Sequence, residues 1–242
     1  MRERHNKTFA TFAVNNFIKV KKNYMAPILI IIIAATAIFS YYGWQNPHIF
    51  EKYKFNVGAI LRNKEYVRLV SAGFLHADPM HLIFNMLTLY FFGPVVLQVF
   101  GPIGFLIIYF GSVILGNAFS LYLYKNQAWY SAIGASGGVS GILFAAIGII
   151  PSMPIYFFFI PIGIPGFLFG FGYFAYSVYS MLNPRVNDNI GHAAHLGGAA
   201  FGLVYAVVFQ PVEAIQNALF LFIMALPLIY MAYVVFVQKK IL

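Results

Sequence analysis

Long apolar runs, broken by short charged segments, follow one another along most of the chain. Five stretches contain no Asp, Glu, Lys or Arg, and they are residues 23–50, 79–124, 126–184, 189–212 and 214–238. A helix needs about 20 apolar residues to cross the hydrocarbon core of a membrane. The first, fourth and fifth stretches are each long enough for one such helix, and the second and third are each long enough for two. The pattern therefore predicts seven membrane-spanning helices.

The predicted spans are residues 26–43, 80–100, 102–123, 136–150, 163–182, 191–210 and 216–237. The fourth span is short, and an aromatic, proline-rich piece from Pro154 to Pro165 follows it. Because proline breaks helices, we expect this piece to be an interfacial connection rather than a membrane-crossing helix. The alternating segments of about 10 residues that are typical of transmembrane strands do not occur. The sequence therefore predicts an all-α polytopic membrane protein.

The same pattern divides the chain into three regions. Residues 1–24 form a basic N-terminal segment, residues 25–210 carry six spans, and residues 211–242 carry the seventh span and a short tail. Between the first two spans lies the longest polar stretch, residues 45–79. Aromatic residues occur there among charged ones, which is typical of a segment in the headgroup layer of a membrane.

Composition narrows the class of protein. The chain is 61% hydrophobic and 9% charged, whereas an ordinary soluble domain is about 25% charged. It contains no cysteine, which excludes a disulfide scaffold. The net charge is +9. This excess does not indicate a soluble nucleic-acid-binding protein, because such a protein could not keep this much apolar surface out of water. These features describe an integral membrane protein.

Basic residues predict the orientation. Six cations precede the first span, and they are Arg2, Arg4, Lys7, Lys19, Lys21 and Lys22. The positive-inside rule therefore places the N-terminus in the cytoplasm, where these cations also attract membrane lipids. Cations in the first loop weaken this signal, and seven spans leave Lys239 and Lys240 outside. From the compact size and the lack of a transit-type extension, we expect a bacterial plasma membrane.

The polar residues inside the predicted spans cluster at one depth. His81 and Asn85 lie four residues apart near the start of span two, Ser136 lies at the start of span four, and His195 lies near the start of span six. These spans run in the same direction, so their N-terminal ends lie on one side of the membrane. All four residues are then within roughly 10 Å of one surface. Polar groups in a membrane are costly, which makes them candidates for function.

The residue types point to hydrolysis of a peptide bond. A serine hydroxyl is a poor nucleophile until a base takes its proton, and the imidazole of His195 suits that role. The oxyanion of a tetrahedral intermediate needs donors. The free backbone N–H groups at the start of the helix of Ser136 can supply them, together with the side chains of His81 and Asn85. No third acid is evident, so the sequence predicts a Ser–His dyad.

Three motifs carry a resemblance to the rhomboid intramembrane serine proteases. They are Tyr66-Val-Arg68 with Phe74-Leu-His76 and His81-Leu-Ile-Phe-Asn85; Gly134-Ala-Ser136-Gly137; and Ala194-His195-Leu-Gly197-Gly198 with Gly202. Their order, and their positions on spans two, four and six, make the resemblance specific. It extends from about Tyr66 to Phe209.

The resemblance implies a role for each residue. Ser136 would be the nucleophile, His195 the base, and His81, Asn85 and the Ser136 amide the oxyanion site. It also implies a six-helix bundle, here with one extra C-terminal transmembrane helix. The family uses no metal or cofactor, and its substrates are usually single-pass membrane proteins. Its fifth span commonly acts as a gate.

The chain departs from the family's pattern at three positions. Val67 stands where Trp is usual, and Leu97 stands where Glu is common. Ser140 occupies a position that is usually aromatic and that packs beside the catalytic histidine. Ser140 also lies in a second motif, Gly138-Val-Ser140-Gly141, and is an alternative nucleophile. We favour Ser136 as the nucleophile, because it lies at the start of a predicted helix, where the backbone amides are free to donate hydrogen bonds.

The other polar residues have simpler interpretations. His76 and His192 are expected to be peripheral. Arg68 is expected to anchor the first loop, either to lipid headgroups or to the protein. Glycines spaced four apart, at positions 134, 137, 138, 141, 198 and 202, are expected to let helices pack closely, although such spacing is common in membrane helices.

Two other functions fit parts of the pattern. One is a zinc-dependent membrane hydrolase that uses His76, His81, His192 and His195, although no HExxH motif occurs. The other is a catalytically inactive rhomboid-like protein that binds membrane clients, although such a protein would be expected to lack the serine or the histidine. A transporter is a weaker alternative, because paired buried charges are missing.

Overall fold

The computed structural model describes residues 27–157, 160–184 and 190–239. The predicted basic N-terminal segment, residues 1–24, lies outside the described residues. The described helices are α1 (Pro27–Gln45), α2 (Pro47–Tyr53), α3 (Val57–Asn63), α4 (Arg68–Ser71), α5 (Pro79–Leu123), α6 (Ser136–Ile149), α7 (Gly166–Leu182), α8 (His192–Phe209), α9 (Pro211–Gln216) and α10 (Ala218–Ala232). A 3₁₀ turn (Ala72–Phe74) follows α4, and a π-helical turn (Tyr233–Val237) continues α10. The described strands are β1 (Phe55–Asn56), β2 (Ser131–Ala132), β3 (Pro154–Phe157) and β4 (Ile160–Pro165).

Four of the described helices are long and apolar enough to cross a membrane. They are α1, α5, α8 and α10 with its π-helical turn. The 45 residues of α5 would extend about 68 Å, roughly twice the thickness of the hydrocarbon core. Gly101 breaks this helix with φ +66° and ψ −178°, a conformation that glycine adopts most easily. The second and third predicted spans are therefore the two halves of α5, and the all-α polytopic class is confirmed. The count of seven crossings stays a prediction.

The short helix α6 lies at the centre of the bundle. Every residue from Gly137 to Ile149 is buried, and the helix packs against α5 and α8. A helix that is apolar on all sides belongs in such an environment. Because α6 is surrounded by protein, its 14 residues do not have to match the thickness of the lipid alone.

Glycines bring α6 and α8 into backbone contact. A Cβ atom added at Gly198 would collide with the backbone of Gly137, and one added at Gly202 would collide with the backbone of Gly141. The predicted close packing at these glycines is therefore present. It holds the first three turns of α8 beside the first two turns of α6.

The polar stretch between α1 and α5 folds against the rest of the protein. Phe55, Val57, Ile60 and Ala72 form a small buried cluster. Strand β1 pairs antiparallel with β2, with Phe55 opposite Ala132. These contacts connect the first loop to the segment that precedes α6.

Arg68 anchors this region from inside. Its Nη1 donates hydrogen bonds of 2.8 Å to the backbone oxygens of Glu51 and Lys54, and its Nε lies 2.7 Å from Oε2 of Glu65. The hydrogen bond from Arg68 lowers the pKa of the Glu65 carboxyl. The sequence left open whether Arg68 anchors the loop to lipid headgroups or to the protein. In the structure its hydrogen-bond partners belong to the protein.

The connection between α6 and α7 contains a hairpin that the sequence did not predict. Strands β3 and β4 pair antiparallel, with Pro154 opposite Pro165 and Ile155 opposite Ile164. The prolines argued against a helix here, and that part of the expectation agrees with the structure. They do not prevent a two-stranded ladder, because each strand has a free edge where proline is tolerated.

The C-terminal helix α10 packs along α7. The rings of Phe167 and Phe220 have centroids 4.7 Å apart, and Met224 lies against Gly170, where no side chain intervenes. The seventh predicted span therefore covers one side of the fifth.

Candidate active site

Ser136 and His195 meet at the starts of two helices. Ser136 is the first residue of α6, and His195 lies in the first turn of α8. The Ser136 Oγ is 2.6 Å from the His195 Nε2. Both residues are half-buried, so the pair lies at the edge of the bundle interior. This distance allows a proton to pass directly from the hydroxyl to the imidazole.

The first turn of α6 provides backbone donors beside the hydroxyl. Val139 N–H is bonded to the Ala135 carbonyl, which marks the first helical hydrogen bond. The N–H groups of Ser136, Gly137 and Gly138 therefore have no carbonyl partner within the helix. The helix dipole adds a partial positive charge at the same place. This end of α6 is suited to an anion.

His81 lies directly against the segment that leads into Ser136. Gly134 has φ +121°, and a Cβ atom there would lie 2.9 Å from the His81 Nε2 and 3.6 Å from the Ser136 Oγ. Glycine at position 134 therefore permits both the backbone conformation and the approach of the imidazole. The structure brings His81 to the side of Ser136, as the residue pattern predicted.

Asn85 lies one turn further along α5 and is buried, with 6% of its surface exposed. Its Nδ2 donates a 2.9 Å hydrogen bond to the His81 carbonyl. One Nδ2 hydrogen and the side-chain oxygen remain for other partners. The structure thus places Asn85 beside His81, and it shows no contact between Asn85 and Ser136.

The expectation that His76 is peripheral is wrong. Its side chain is completely buried, its Nδ1 is 2.9 Å from the Ser40 Oγ, and its Nε2 accepts a 3.3 Å hydrogen bond from the Ala135 N–H. The Ser40 hydroxyl donates to the Phe74 carbonyl, so His76 carries its proton on Nδ1. Burial lowers the pKa of His76 to about 3, which keeps the ring neutral.

His76 supports the site from behind. Its ring stands edge-on to His81, with centroids 4.8 Å apart, while its Nε2 holds the residue before Ser136. The sequence did contain a signal for this role. It was a histidine five residues before His81, in the segment that joins the first loop to span two. His76 belongs to the first of the three motifs, but its predicted position was peripheral to the site.

His192 is also not peripheral. Its side chain has 5% of its surface exposed. Its ring lies edge-on to Tyr176 at 5.5 Å and to His195 at 6.4 Å. Because His192 is three residues before His195 on α8, one helix face presents both rings.

Ser140 does not bond to the base. Its Oγ is 2.9 Å from the hydroxyl of Tyr173 on α7. The ring of Tyr173 lies beside His195, with centroids 6.4 Å apart and planes 21° apart. An aromatic ring is thus present next to the imidazole, although it comes from α7 and not from position 140. Periodicity on α7 offered no means of finding this residue, because α7 is rich in aromatic residues.

Among the residues that the structure describes, metal ligands do not converge on this site. Within residues 27–157, 160–184 and 190–239, no group of three or more His, Asp or Glu side chains has an arrangement that could hold a metal ion. The zinc alternative therefore gains no support from the histidines that the structure describes.

Comparison with known proteins identifies relatives of this arrangement. Rhomboid protein 1, mitochondrial, of Saccharomyces cerevisiae is 30% identical over 171 residues, which is 67% of this chain and 47% of that protein. Rhomboid protease GlpG of Haemophilus influenzae is 23% identical over 155 residues, 61% of this chain and 71% of that protein. Inactive RHOMBOID-like protein 8 of Arabidopsis thaliana is 33% identical over 89 residues, 37% of this chain and 25% of that protein. The chain spans about half the length of the yeast relative.

A family model gives stronger evidence of family membership than any single relative does. The model described as Rhomboid domain matches residues 63–212. The matched stretch is more than half of the chain and contains Ser136, His195 and His81. This chain therefore belongs to the rhomboid family.

Proposed function

We propose that this protein is an intramembrane serine endopeptidase, with Ser136 as nucleophile and His195 as general base. The observation that carries the proposal is the 2.6 Å contact between the Ser136 Oγ and the His195 Nε2, made between two separate helices. A hydroxyl and an imidazole in this geometry form the reactive pair of serine hydrolases. The residues supply the nucleophile, the base and the oxyanion donors, so the proposed reaction uses no cofactor.

The reaction proceeds in two stages. In the first, the Ser136 Oγ attacks the scissile carbonyl carbon while the His195 Nε2 takes the hydroxyl proton. The tetrahedral intermediate collapses when His195 gives that proton to the leaving amine, and an acyl-enzyme remains on Ser136. In the second stage, His195 takes a proton from water, the resulting hydroxide attacks the ester, and Ser136 regains its hydrogen.

The oxyanion of both intermediates lies at the N-terminal end of α6. The amide of Ser136 and the partial positive charge of the helix end face this position. His81 adds a side-chain donor from α5, because its ring lies against Gly134. Asn85 completes the proposed set through the part of its amide that is not bonded to the His81 carbonyl.

The proposed substrates are single-pass membrane proteins that are cut in or near the transmembrane segment. This protein spans a membrane several times, and Ser136 and His195 lie at helix starts close to the polar loops. A peptide that leaves the lipid near this depth can reach the hydroxyl, and water from the loops can reach the acyl-enzyme. The name of GlpG describes a rhomboid protease, which supports the reaction class.

The test is cleavage of a model single-pass substrate in proteoliposomes by wild type and by three variants. Ser136→Ala and His195→Ala are expected to reduce turnover by more than about 10³-fold, since each removes one member of the reactive pair. Ser140→Ala is the matched control for the serine, because Ser140 bonds to Tyr173 and not to His195. We expect it to keep turnover within the same order of magnitude.

Two results would contradict the proposal. Full cleavage by Ser136→Ala would show that another residue is the nucleophile. No cleavage by wild type, together with capture of the intact substrate, would favour the client-binding alternative. The Arabidopsis relative is named as inactive. Treatment of wild type with a fluorophosphonate, followed by identification of the modified serine, decides between a nucleophilic and an inert Ser136.

For the location we propose a plasma membrane with the N-terminus in the cytoplasm. The proposal rests on the six N-terminal cations of the sequence. Of the three relatives reported above, one is named as mitochondrial and one comes from a bacterium. Imaging of a fluorescent fusion in the source cell would separate a plasma membrane from an organelle.

A further inference from the structure

We propose that Tyr173 is a positioning residue, which holds the imidazole of His195 in line with Ser136. The inference rests on the proposed function. The observation behind it is a chain of contacts between three helices: the ring of Tyr173 on α7 lies along His195 on α8, and its hydroxyl bonds to Ser140 on α6.

The imidazole needs such a restraint. Its Nε2 is bonded to the Ser136 Oγ, and within the described residues no side chain is hydrogen-bonded to its Nδ1. A ring held at one nitrogen can still turn about the bond that joins it to the rest of the side chain. A flat neighbour limits that rotation, because turning the imidazole would drive its edge into the neighbouring ring. Tyr173 is nearly parallel to His195, with an angle of 21° between the planes.

Tyr173 is itself held firmly. The Ser140 Oγ lies 2.9 Å from its hydroxyl, and Ser140 is buried, with 6% of its surface exposed. Its ring also packs against Phe144, with centroids 5.2 Å apart, and against Phe169, with centroids 6.0 Å apart. A ring fixed at its hydroxyl and along its sides can act as a wall for another ring.

The link to Ser140 has a particular consequence. Ser140 is one turn after Ser136 on the same helix, so the helix that carries the nucleophile also sets the position of the ring beside the base. The distance between Oγ and Nε2 is therefore controlled by α7 as well as by α6 and α8. An outward shift of α7 would remove the wall and release the imidazole.

The test compares four variants in the full-length protein: Tyr173→Leu, Tyr173→Phe, Ser140→Ala and the double variant Tyr173→Phe with Ser140→Ala. The kcat for the single-pass substrate is expressed per active site, counted by fluorophosphonate labelling, so that misfolded protein does not contribute. Tyr173→Leu removes the ring and is expected to lower kcat by about 10-fold or more with KM changed less than about twofold, because misalignment affects the chemical step. Tyr173→Phe keeps the ring and is expected to retain about a third of the wild-type kcat, well above that of Tyr173→Leu.

The hydroxyl link is tested by the double variant. Tyr173→Phe and Ser140→Ala each break the same hydrogen bond, so each is expected to lower kcat by about threefold, and the double variant by no more than either one. Tyr179→Leu is the control on the same helix, because Tyr179 is 57% exposed and, among the described residues, its ring makes no contact with the His195 ring. It is expected to match wild type.

The possible outcomes are distinct. If wild type cleaves and Tyr173→Leu has the same kcat per active site as Tyr179→Leu, the inference is wrong and the proposed function stands. If Tyr173→Leu does not fold, the remaining variants decide, and multiplicative effects of Tyr173→Phe and Ser140→Ala would overturn the link. If wild type does not cleave and its Ser136 is not labelled, the proposed function fails, and the inference fails with it.

Discussion

At the scale of single residues, His76 joins the loop region to the helix that carries Ser136. Its ring is neutral in the folded protein, because burial lowers its pKa to about 3. In the unfolded chain a histidine titrates near 6.5. Between about pH 6.5 and pH 3 the unfolded state therefore binds more protons than the folded state, and this residue makes stability fall as pH falls. The slope is at most about 1.4 kcal/mol per pH unit.

We therefore predict that His76→Gln flattens the acid limb of the stability curve. The measurement is the free energy of unfolding in detergent at several pH values from 7 to 4, for wild type, His76→Gln and His48→Gln. His48 is exposed at the surface, so its variant serves as the matched control. At pH 7, His76→Gln is expected to lose about 1–3 kcal/mol, because one amide group cannot reproduce both hydrogen bonds of the ring, to the Ser40 Oγ and to the Ala135 N–H. An unchanged slope in His76→Gln would contradict the assignment.

Single residues also show where sequence reasoning succeeded and where it failed. Ser136, His195 and His81 were predicted from polarity at a common depth, and the structure brings them together. His76 and Tyr173 could not be placed in this way. The position of His76 depends on how the anchored loop folds back, and that of Tyr173 depends on the rotation of α7 about its axis. Neither quantity is encoded in a local pattern.

At the scale of elements, the contact between α6 and α8 sets the distance between nucleophile and base. A Cβ atom at Gly202 would lie 2.7 Å from the Gly141 Cα and against the rest of that residue's backbone. Backbone cannot rotate away as a side chain can, so the helices would have to separate. We predict that Gly202→Ala destabilises the protein by about 1–3 kcal/mol and lowers activity.

The control for this prediction is Gly172→Ala on α7. A Cβ at Gly172 meets nothing within 4 Å. Alanine favours a helix over glycine by about 1 kcal/mol, so this variant is expected to be neutral or slightly stabilising. Thermal unfolding of both variants, with fluorophosphonate labelling of Ser136, gives the comparison. Equal stability of the two variants would mean that the α6–α8 contact is looser than the structure shows.

Elements also show how far an apolar pattern can predict a fold. The starts and ends of α1, α6, α8 and α10 lie within a few residues of the predicted spans, because charge and proline delimit them. The hairpin of β3 and β4 was missed, since its prolines mask the strand signal of the Ile, Tyr and Phe residues around them. Gly101 was predicted to separate two spans. The sequence did not predict that the two spans would be halves of one long helix with a break at this glycine.

At the scale of the whole molecule, the position of α6 predicts that the site lies near one side of the membrane. α6 begins at Ser136 and runs through the centre of the bundle to Ile149, so we expect the segments before and after it to face opposite sides of the membrane. Trp129 lies in the segment before α6 with 77% of its surface exposed, and Ser152 is exposed in the segment after it. The chain contains no cysteine, which makes single cysteines at these positions clean markers of sidedness.

We predict that a membrane-impermeant thiol reagent labels Trp129→Cys and Ser152→Cys from opposite sides of sealed membranes. With the N-terminus in the cytoplasm, Trp129→Cys is expected to react from outside, on the same side as the site, and Ser152→Cys only after the membranes are opened. Reversed accessibility would overturn the proposed orientation but leave the arrangement of the helices intact. Reaction of both cysteines from one side of intact membranes would contradict the crossing of α6, and with it the reasoning that brought Ser136, His81 and His195 to a common depth.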